Sequence, residues 1–313
     1  MVDISIIIPV YKEEGNIPPF ISRLVPVLDA MGVSYEIIFC LDPSPDHSEK
    51  VISDLIQFND RIKLLIMSRR FGQPAATMAG LFYSIGKTAV VIDVDLQDPP
   101  ELIANLYDEL KMGYDVVYAK RRSRKGETLI KRLVAYIGYS LINKLSDIEI
   151  PRNTGDFRIM NRRVIDELKK LNESHGFLRG LVAYVGFSQT YIEYDRDQRL
   201  SGSGNYNKYL GSIKIGLNGL ISFSSRPLTL MSLAGVFLSG FSFLLGLWYL
   251  MQKLIGINLT PGLSTTVLVV SFFAGVQLLG LGLIGEYVGR IYDEVKRRPI
   301  YIVDKVIDLR VER

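Results

Sequence analysis

Along the first 226 residues, short apolar runs alternate with longer stretches whose apolar positions recur at helical spacing. Ile4–Val10, Tyr35–Leu41 and residues 62–66, 89–94 and 114–119 are nearly continuous apolar runs, as expected of parallel strands covered on both faces. Between them, residues 16–30, Ser48–Phe58, 74–85 and 100–112 carry the amphipathic period of surface helices. Strand and helix in regular succession imply βαβ units with right-handed crossovers, hence an α/β domain with a Rossmann-like, mostly parallel sheet.

Past Pro227 the pattern changes. Residues 228–251 contain no charged side chain over 24 positions, and residues 263–285 none over 23. A helix of about 20 apolar residues crosses a bilayer, so both stretches are read as transmembrane helices. Arg226 precedes the first, and Arg290, Lys296, Arg297 and Arg298 follow the second; the connection 252–262 carries only Lys253. The positive-inside rule then places both termini in the cytoplasm, as a multi-pass protein of the inner (cytoplasmic) membrane. The expected organisation is a cytoplasmic domain over 1–205, a juxtamembrane amphipathic segment over 206–227, the two spans, and a cytoplasmic tail over 286–313. In the juxtamembrane segment Leu210, Ile213 and Leu217 share a face, with Lys208 and Lys214 available to lipid phosphates, which favours an interfacial helix. The basic stretch 121–139 is open to two readings, an interfacial helix or an ordinary packed helix with a solvated charged edge. Residues 299–303 read as a strand available to a sheet edge of this chain or of another subunit.

Composition narrows the chemistry. A net charge of +4 on 313 residues suits a neighbour of anionic headgroups, and no nucleic-acid partner is expected. Cys40 is the single cysteine, which excludes an intrachain disulfide and reads as a buried strand thiol. Two histidines, His47 and His175, argue against a histidine-rich zinc site. The segment after the first strand, Pro9-Val10-Tyr11-Lys12-Glu13-Glu14-Gly15-Asn16, has neither a dinucleotide-binding glycine fingerprint nor a P-loop.

The candidate chemistry lies at strand ends, where open α/β sheets bind ligands. The fourth run breaks into Asp93-Val94-Asp95-Leu96-Gln97-Asp98-Pro99-Pro100-Glu101. Asp93 and Asp95 would repel each other unless a cation lay between them. Mg²⁺, held by one or two carboxylates and completed by substrate phosphates, answers that need. Asp98 reads as a cap for the following helix. After the second strand, Asp42 is placed to accept the imide proton of uracil, and Asp46 to cap the next helix. Three strand ends aimed at one crevice suit a nucleoside diphosphate with its metal ion.

These residues carry a specific resemblance. Pro9, Tyr11 and Glu13; Asp42-x-Ser44-x-Asp46; Ser68-Arg69-x-Phe71-Gly72; the Asp93–Glu101 stretch; Gly155-Asp156-Phe157-Arg158; Arg196-x-x-Arg199-x-x-Gly202; and Ser222-Phe223-Ser224 with Pro227-Leu228 resemble the family 2 inverting glycosyltransferases of the GT-A fold. The match spans essentially the whole chain. It looks most like the polyprenyl-phosphate branch that includes dolichyl-phosphate mannose synthases and, with its two spans, the bactoprenol (undecaprenyl-phosphate) glucosyltransferases.

The resemblance implies that Pro9, Tyr11, Glu13, Asp42, Asp93 and Val94 hold the nucleoside, and that Asp95 and Gln97 bind Mg²⁺ or Mn²⁺. It further implies that Asp156 stands beside the reacting centre and acts in catalysis with Asp95, while Arg121, Arg196 and Arg199 neutralise donor or acceptor phosphates. The family usually has Asn at Lys12, an acidic residue at Leu41, and Ser-Lys before tyrosine where this chain has Gly204-Asn205-Tyr206. Lys208 is the candidate substitute for that lysine. The implied activity is transfer of a hexose, glucose from UDP-glucose, to undecaprenyl phosphate for O-antigen or cell-envelope glycosylation. A homo-oligomer and a separate flippase are the implied protein partners. Mannose or an aminosugar as the donor, or a non-catalytic nucleotide-sugar-binding scaffold, are the alternative readings. A processive synthase is excluded: the only tryptophan, Trp248, lies in the first span.

Overall fold

The computed structural model describes residues 2–122, 154–171, 173, 178–196, 221, 224–255 and 262–310. The basic stretch from 123 to 139 and the amphipathic segment 206–220 lie outside them, as do Arg199 and Lys208. Eight strands form one sheet: β1 (Ile4–Val10), β2 (Tyr35–Leu41), β3 (Ile62–Met67), β4 (Thr88–Val91), β5 (Val116–Arg121), β6 (Thr154–Asn161), β7 (Gln189–Tyr194) and β8 (Val303–Ile307). Their spatial order is β7-β5-β6-β4-β1-β2-β3-β8. The pairs β1–β2, β1–β4, β2–β3 and β5–β7 are parallel, so the sheet is mostly parallel, as expected; β7 is not among the predicted strands. Strand β6 runs antiparallel between β4 and β5, and β8 antiparallel along β3.

The helices are α1 (Ile17–Ala30), α2 (Ser48–Phe58), α3 (Gln73–Tyr83), α4 (Leu102–Lys111), α5 (Arg162–Lys170), α6 (Leu178–Val185), α7 (Arg226–Leu254) and α8 (Leu263–Val295). The period-2 alternation of strand side chains divides the core into two layers. Ile4, Ile6 and Ile8 join Phe20, Leu24, Ile52, Ile103 and Leu106 of α1, α2 and α4 on one face. Ile7 and Cys40 join Met78, Leu81, Val164, Leu168 and Leu181 of α3, α5 and α6 on the other. Cys40 is thus the buried strand thiol expected, and burial pushes its pKa up. Gly80 lets α3 lie close to the sheet, since a Cβ there would stand 2.4 Å from Ile7 Cγ2 and 2.6 Å from Cys40 Sγ. Pro9 sits inside a central strand without disrupting it. Ile7 carbonyl bonds toward β4 and Val10 carbonyl toward β2, so Pro9 faces the β4 side, where that strand has already ended.

The two uncharged stretches lie within α7 and α8, which are long and apolar enough to cross a membrane. Tyr287 on α8 donates to the Ser224 carbonyl at the start of α7, 2.7 Å away. Helix α8 continues ten residues beyond the uncharged run, through Glu286, Arg290, Asp293 and Glu294.

The tail then returns to the sheet of its own chain. Ser68 N donates to Ile302 O at 2.9 Å, Tyr301 packs against Phe82 with ring centroids 6.2 Å apart, and β8 covers the β3 edge. The strand therefore begins at Val303, later than the pattern over 299–303 predicts, and its partner is in the same chain. The apolar residues Tyr301 and Ile302 instead supply the approach to it.

Charge fastens this tail. Glu36, fully buried, accepts from Ser5 Oγ (2.6 Å) and Ile85 N (2.8 Å), and Lys63 Nζ bridges it (3.0 Å) to Asp308 of the tail (2.8 Å). The Lys63 ammonium helps hold the Asp308 carboxyl below its usual range. Replacing Lys63 by Met leaves the buried Glu36 carboxylate with Arg310, 3.9 Å away, as its remaining cation among the described residues, which costs about 3 kcal/mol. A lower thermal midpoint for Lys63→Met in detergent, with partial recovery in Lys63→Met/Glu36→Gln, is the expected result; an unchanged midpoint would show that this bridge contributes nothing.

Candidate active site

Five parallel strands and one antiparallel strand deliver the candidate residues to one edge. Tyr11, Lys12 and Glu13 follow β1, Asp42 follows β2, Asp93 and Asp95 follow β4, Arg121 ends β5, and Arg196 lies two residues past β7. Because β6 is antiparallel, its first residues arrive at the same edge, and they are Thr154, Gly155 and Asp156. The structure thus brings together every described candidate. Pro9 and Val94 are buried, so any part they take in binding is through their backbone.

The β1 and β2 loops are sewn to each other. Lys12 N donates to Ser44 Oγ (3.0 Å), Glu14 N to Asp46 Oδ2 (3.2 Å), and His47 N to Glu14 Oε2 (2.7 Å). Asp46 also accepts from the hydroxyls of Ser44 and Ser48 and from Ser48 N (3.3 Å), which ties it to the first residue of α2, while the capping position itself is His47, with no side-chain cap bond. Those bonds outweigh its partial burial and lower its pKa. The Asp42 carboxylate, 2% exposed, accepts from Phe71 N (3.1 Å) and Gly72 N (2.8 Å), which ties the β3–α3 loop to the end of β2. Its four lone pairs leave capacity for a further donor. The guanidinium of Arg70 stacks 3.9 Å from the centre of the Tyr11 ring.

Strand β4 ends at Val91, earlier than the apolar run suggests, and residues 92–101 form the loop that carries the acids. Leu96 adopts φ +59°, which curls this loop; Gln97 N donates to Asp95 Oδ1 at 3.2 Å, and Gln73 Nε2 to Asp93 Oδ1 at 2.7 Å. Asp98 is not a helix cap: α4 starts at Leu102 with Glu101 at the capping position. Its carboxylate, 1% exposed, is instead the anchor of a buried cluster. It accepts from the Tyr194 hydroxyl and pairs with Arg121 (3.5 Å) and Arg196 (3.4 Å). Burial and the neighbouring Asp98 raise the pKa of Tyr194. Gly155 makes room for Arg121, whose Nη2 would lie 2.8 Å from a Cβ at that position.

Asp156 forms the second cluster. Arg179 of α6 reaches it with Nε (2.9 Å to Oδ1) and Nη2 (3.3 Å to Oδ2), and Arg158 Nη2 stands 3.3 Å from Oδ1. Burial raises the carboxyl, but Arg179, Arg158 and Arg121 overcome it and hold Asp156 down to about 2. Asp93 lies in the opposite balance. Desolvation, with repulsion from Asp156, Asp98 and Asp95 outweighing attraction by Arg121, pushes it up to about 8. Three other carboxylates thus act on Asp93 against Arg121, so Asp93 and Asp95 lie in an acidic part of the crevice. Hard oxygen donors in such a setting fit Mg²⁺ or Mn²⁺. Among the described residues no group of three or more His, Cys, Asp or Glu side chains could hold an ion by itself, so a bound metal would take the rest of its ligands from substrate phosphates.

Sequence reasoning named Arg158 within the Gly155–Arg158 motif but gave it no role, and missed Arg179 and Tyr194, which are distant in sequence and carry no motif that marks them.

Residues 5–169 match the family described as glycosyl transferase family 2. Over 99% of this chain and 95% of its own length, an uncharacterised glycosyltransferase of Bacillus subtilis, YkcC, is 45% identical. An SfII prophage-derived bactoprenol glucosyl transferase of Shigella flexneri is 38% identical, covering 96% of this chain and 97% of its own. A crystal structure of glucosyl-3-phosphoglycerate synthase from Mycobacterium tuberculosis, in complex with Mn²⁺, UDP-glucose and phosphoglyceric acid, superposes with a TM-score of 0.51 at 19% identity, over 71% of this chain and 79% of that one. That likeness bears on the fold alone.

Lys12 has φ +59°, a left-handed conformation that costs an ordinary side chain roughly 1–2 kcal/mol and Asn less. Lys12→Asn is expected to recover about half of that cost, read as a raised thermal midpoint; a lowered midpoint would show that contacts of the lysine outweigh the backbone term.

Proposed function

From the premise that this chain belongs to glycosyl transferase family 2, we propose that it moves glucose from UDP-glucose to a membrane polyprenyl (undecaprenyl) phosphate with inversion at the anomeric carbon. The observation that carries this reading is the near full-length similarity to a bactoprenol glucosyl transferase, apolar helices included. The charge layout of the crevice supports it: acids where a metal-bound diphosphate would lie, arginines where a second phosphate would arrive.

In this reading α7 and α8 span the inner membrane with both termini cytoplasmic, and the acceptor's phosphate reaches the crevice from the bilayer surface. Tyr11, Glu13 and Asp42 hold the nucleoside, and Asp93 lies beside its ribose. Asp95 and Gln97 would hold Mg²⁺ or Mn²⁺, which when bound offsets the charge that builds on the departing diphosphate. A phosphate oxygen of the acceptor attacks the anomeric carbon as the bond to the UDP β-phosphate oxygen breaks, and the electron pair leaves with UDP. An α-linked donor gives a β-linked lipid product.

No proton needs to be removed, because a phosphate monoester with a second pKa of about 6 is already mostly dianionic at neutral pH. Asp156 matches that requirement: a carboxyl held at about 2 is a poor base but a permanent anion beside the developing positive charge of the sugar. Arg121 and Arg196, with Arg199 and Lys208 of the undescribed segment, offset repulsion between the two anionic substrates. A separate flippase moves the product across the membrane, and the enzyme works as a homo-oligomer.

Purified protein in detergent with undecaprenyl phosphate and radiolabelled UDP-glucose is expected to label the lipid with Mg²⁺ and not with EDTA. Asp95→Ala is expected to lose at least 100-fold in rate. Labelling from UDP-GlcNAc or GDP-mannose instead would correct the donor; no labelling from any donor would refute the transferase reading.

A further inference from the structure

Resting on that reading, we propose that Arg179 is a positioning residue for the reaction, the clamp that sets the plane and direction of the Asp156 carboxylate. The two residues come from different layers. Asp156 is the third residue of β6, and Arg179 stands in the first turn of α6. The guanidinium presents Nε and Nη2 to the two separate oxygens of the carboxylate, at 2.9 and 3.3 Å. A paired, near-parallel approach of this kind fixes orientation as well as charge, which a single donor cannot do.

The clamp has a rigid base on both sides. Leu178, Leu181 and Val182 of α6 are buried against Val164 and Leu168 of α5, so the root of Arg179 does not drift. Arg158 shares Oδ1 of Asp156 with Arg179 Nε, its Nη2 standing 3.3 Å away. It is fully buried, and its Nη2 also donates to Gly155 O at 3.0 Å. Asp156 itself is about one-quarter exposed, open to a ligand in the crevice. Without Arg179 the carboxylate keeps Arg158 on one oxygen and is free to turn toward Arg121, whose guanidinium lies beside Gly155. Removing the clamp thus misdirects the Asp156 carboxylate, while the bonds that sew the β1 and β2 loops together do not pass through it.

The test uses the full-length protein with undecaprenyl phosphate and UDP-glucose, comparing wild type, Arg179→Gln and Arg179→Lys. Arg179→Gln is expected to lower kcat at least tenfold with KM for UDP-glucose within threefold. Arg179→Lys, which keeps the charge without the fork, is expected to fall between it and wild type. A kcat for Arg179→Gln within twofold of wild type would overturn the inference, as would a rise in KM that accounts for the whole loss. If Arg179→Gln fails to show the wild-type melting transition, Arg179→Lys decides: reduced kcat with a wild-type transition supports the clamp, and wild-type kcat refutes it. Wild-type protein that labels the lipid from no donor would overturn the transferase reading and this inference together, whereas active wild type with an indifferent Arg179 removes the inference alone.

Discussion

Gathering carboxylates in one recessed crevice is the constraint around which the rest of the site is arranged. Asp93, Asp95, Asp98 and Asp156 converge at the edge where β1, β2 and β4 end, and like charges in a poorly solvated place repel strongly. The fold answers with arginines drawn from several elements. Arg121 and Arg196 close on Asp98, while Arg158 and Arg179 close on Asp156. The compensation is uneven, and the unevenness has chemical content. Asp156 is held firmly ionised, whereas burial first, and then the neighbouring carboxylates, push Asp93 up to about 8. One acid is thereby made a fixed anion, and the other is poised to gain a proton.

That division depends on strand direction. Were β6 parallel to its neighbours, Asp156 would lie at the far end of the sheet, near the buried Glu36. Its antiparallel insertion between β4 and β5 brings Asp156 to the loops and orients Arg158 behind it. Tyr194 at the end of β7 and Arg121 at the end of β5 then meet over Asp98, because those two strands are parallel and in register at Arg121 and Tyr194. The opposite end of the sheet is also organised by charge. Lys63 joins Glu36 to Asp308, so the chain leaving α8 is attached to the α/β domain by a strand and a buried ion bridge. The end of α8 is thereby held to the sheet by strand pairing as well as by charge.

Much of this was legible from residue pattern. The first five strands and four helices emerge from apolar runs because strands covered on both faces have little choice of residue. The two long helices follow from uncharged length alone. Asp42, Asp93, Asp95 and Asp156 were legible because they stand next to strand-like runs or within motifs, and the structure brings them to one edge. The reading of Asp98 as a helix cap failed because sequence cannot display its partners: Tyr194 is 96 residues away. The reading of the tail as a strand was displaced by a few residues, since edge pairing with β3 and the Lys63 bridge decided the register.

The sequence by itself determined the α/β class, the acidic strand ends and the apolar helices, because each follows from local period and composition. Only the tertiary structure decided which cation faces which carboxylate, that β6 runs against its neighbours, and that β8 closes on its own sheet. Those outcomes depend on distances between residues far apart in the chain, and electrostatic pairing acts through space.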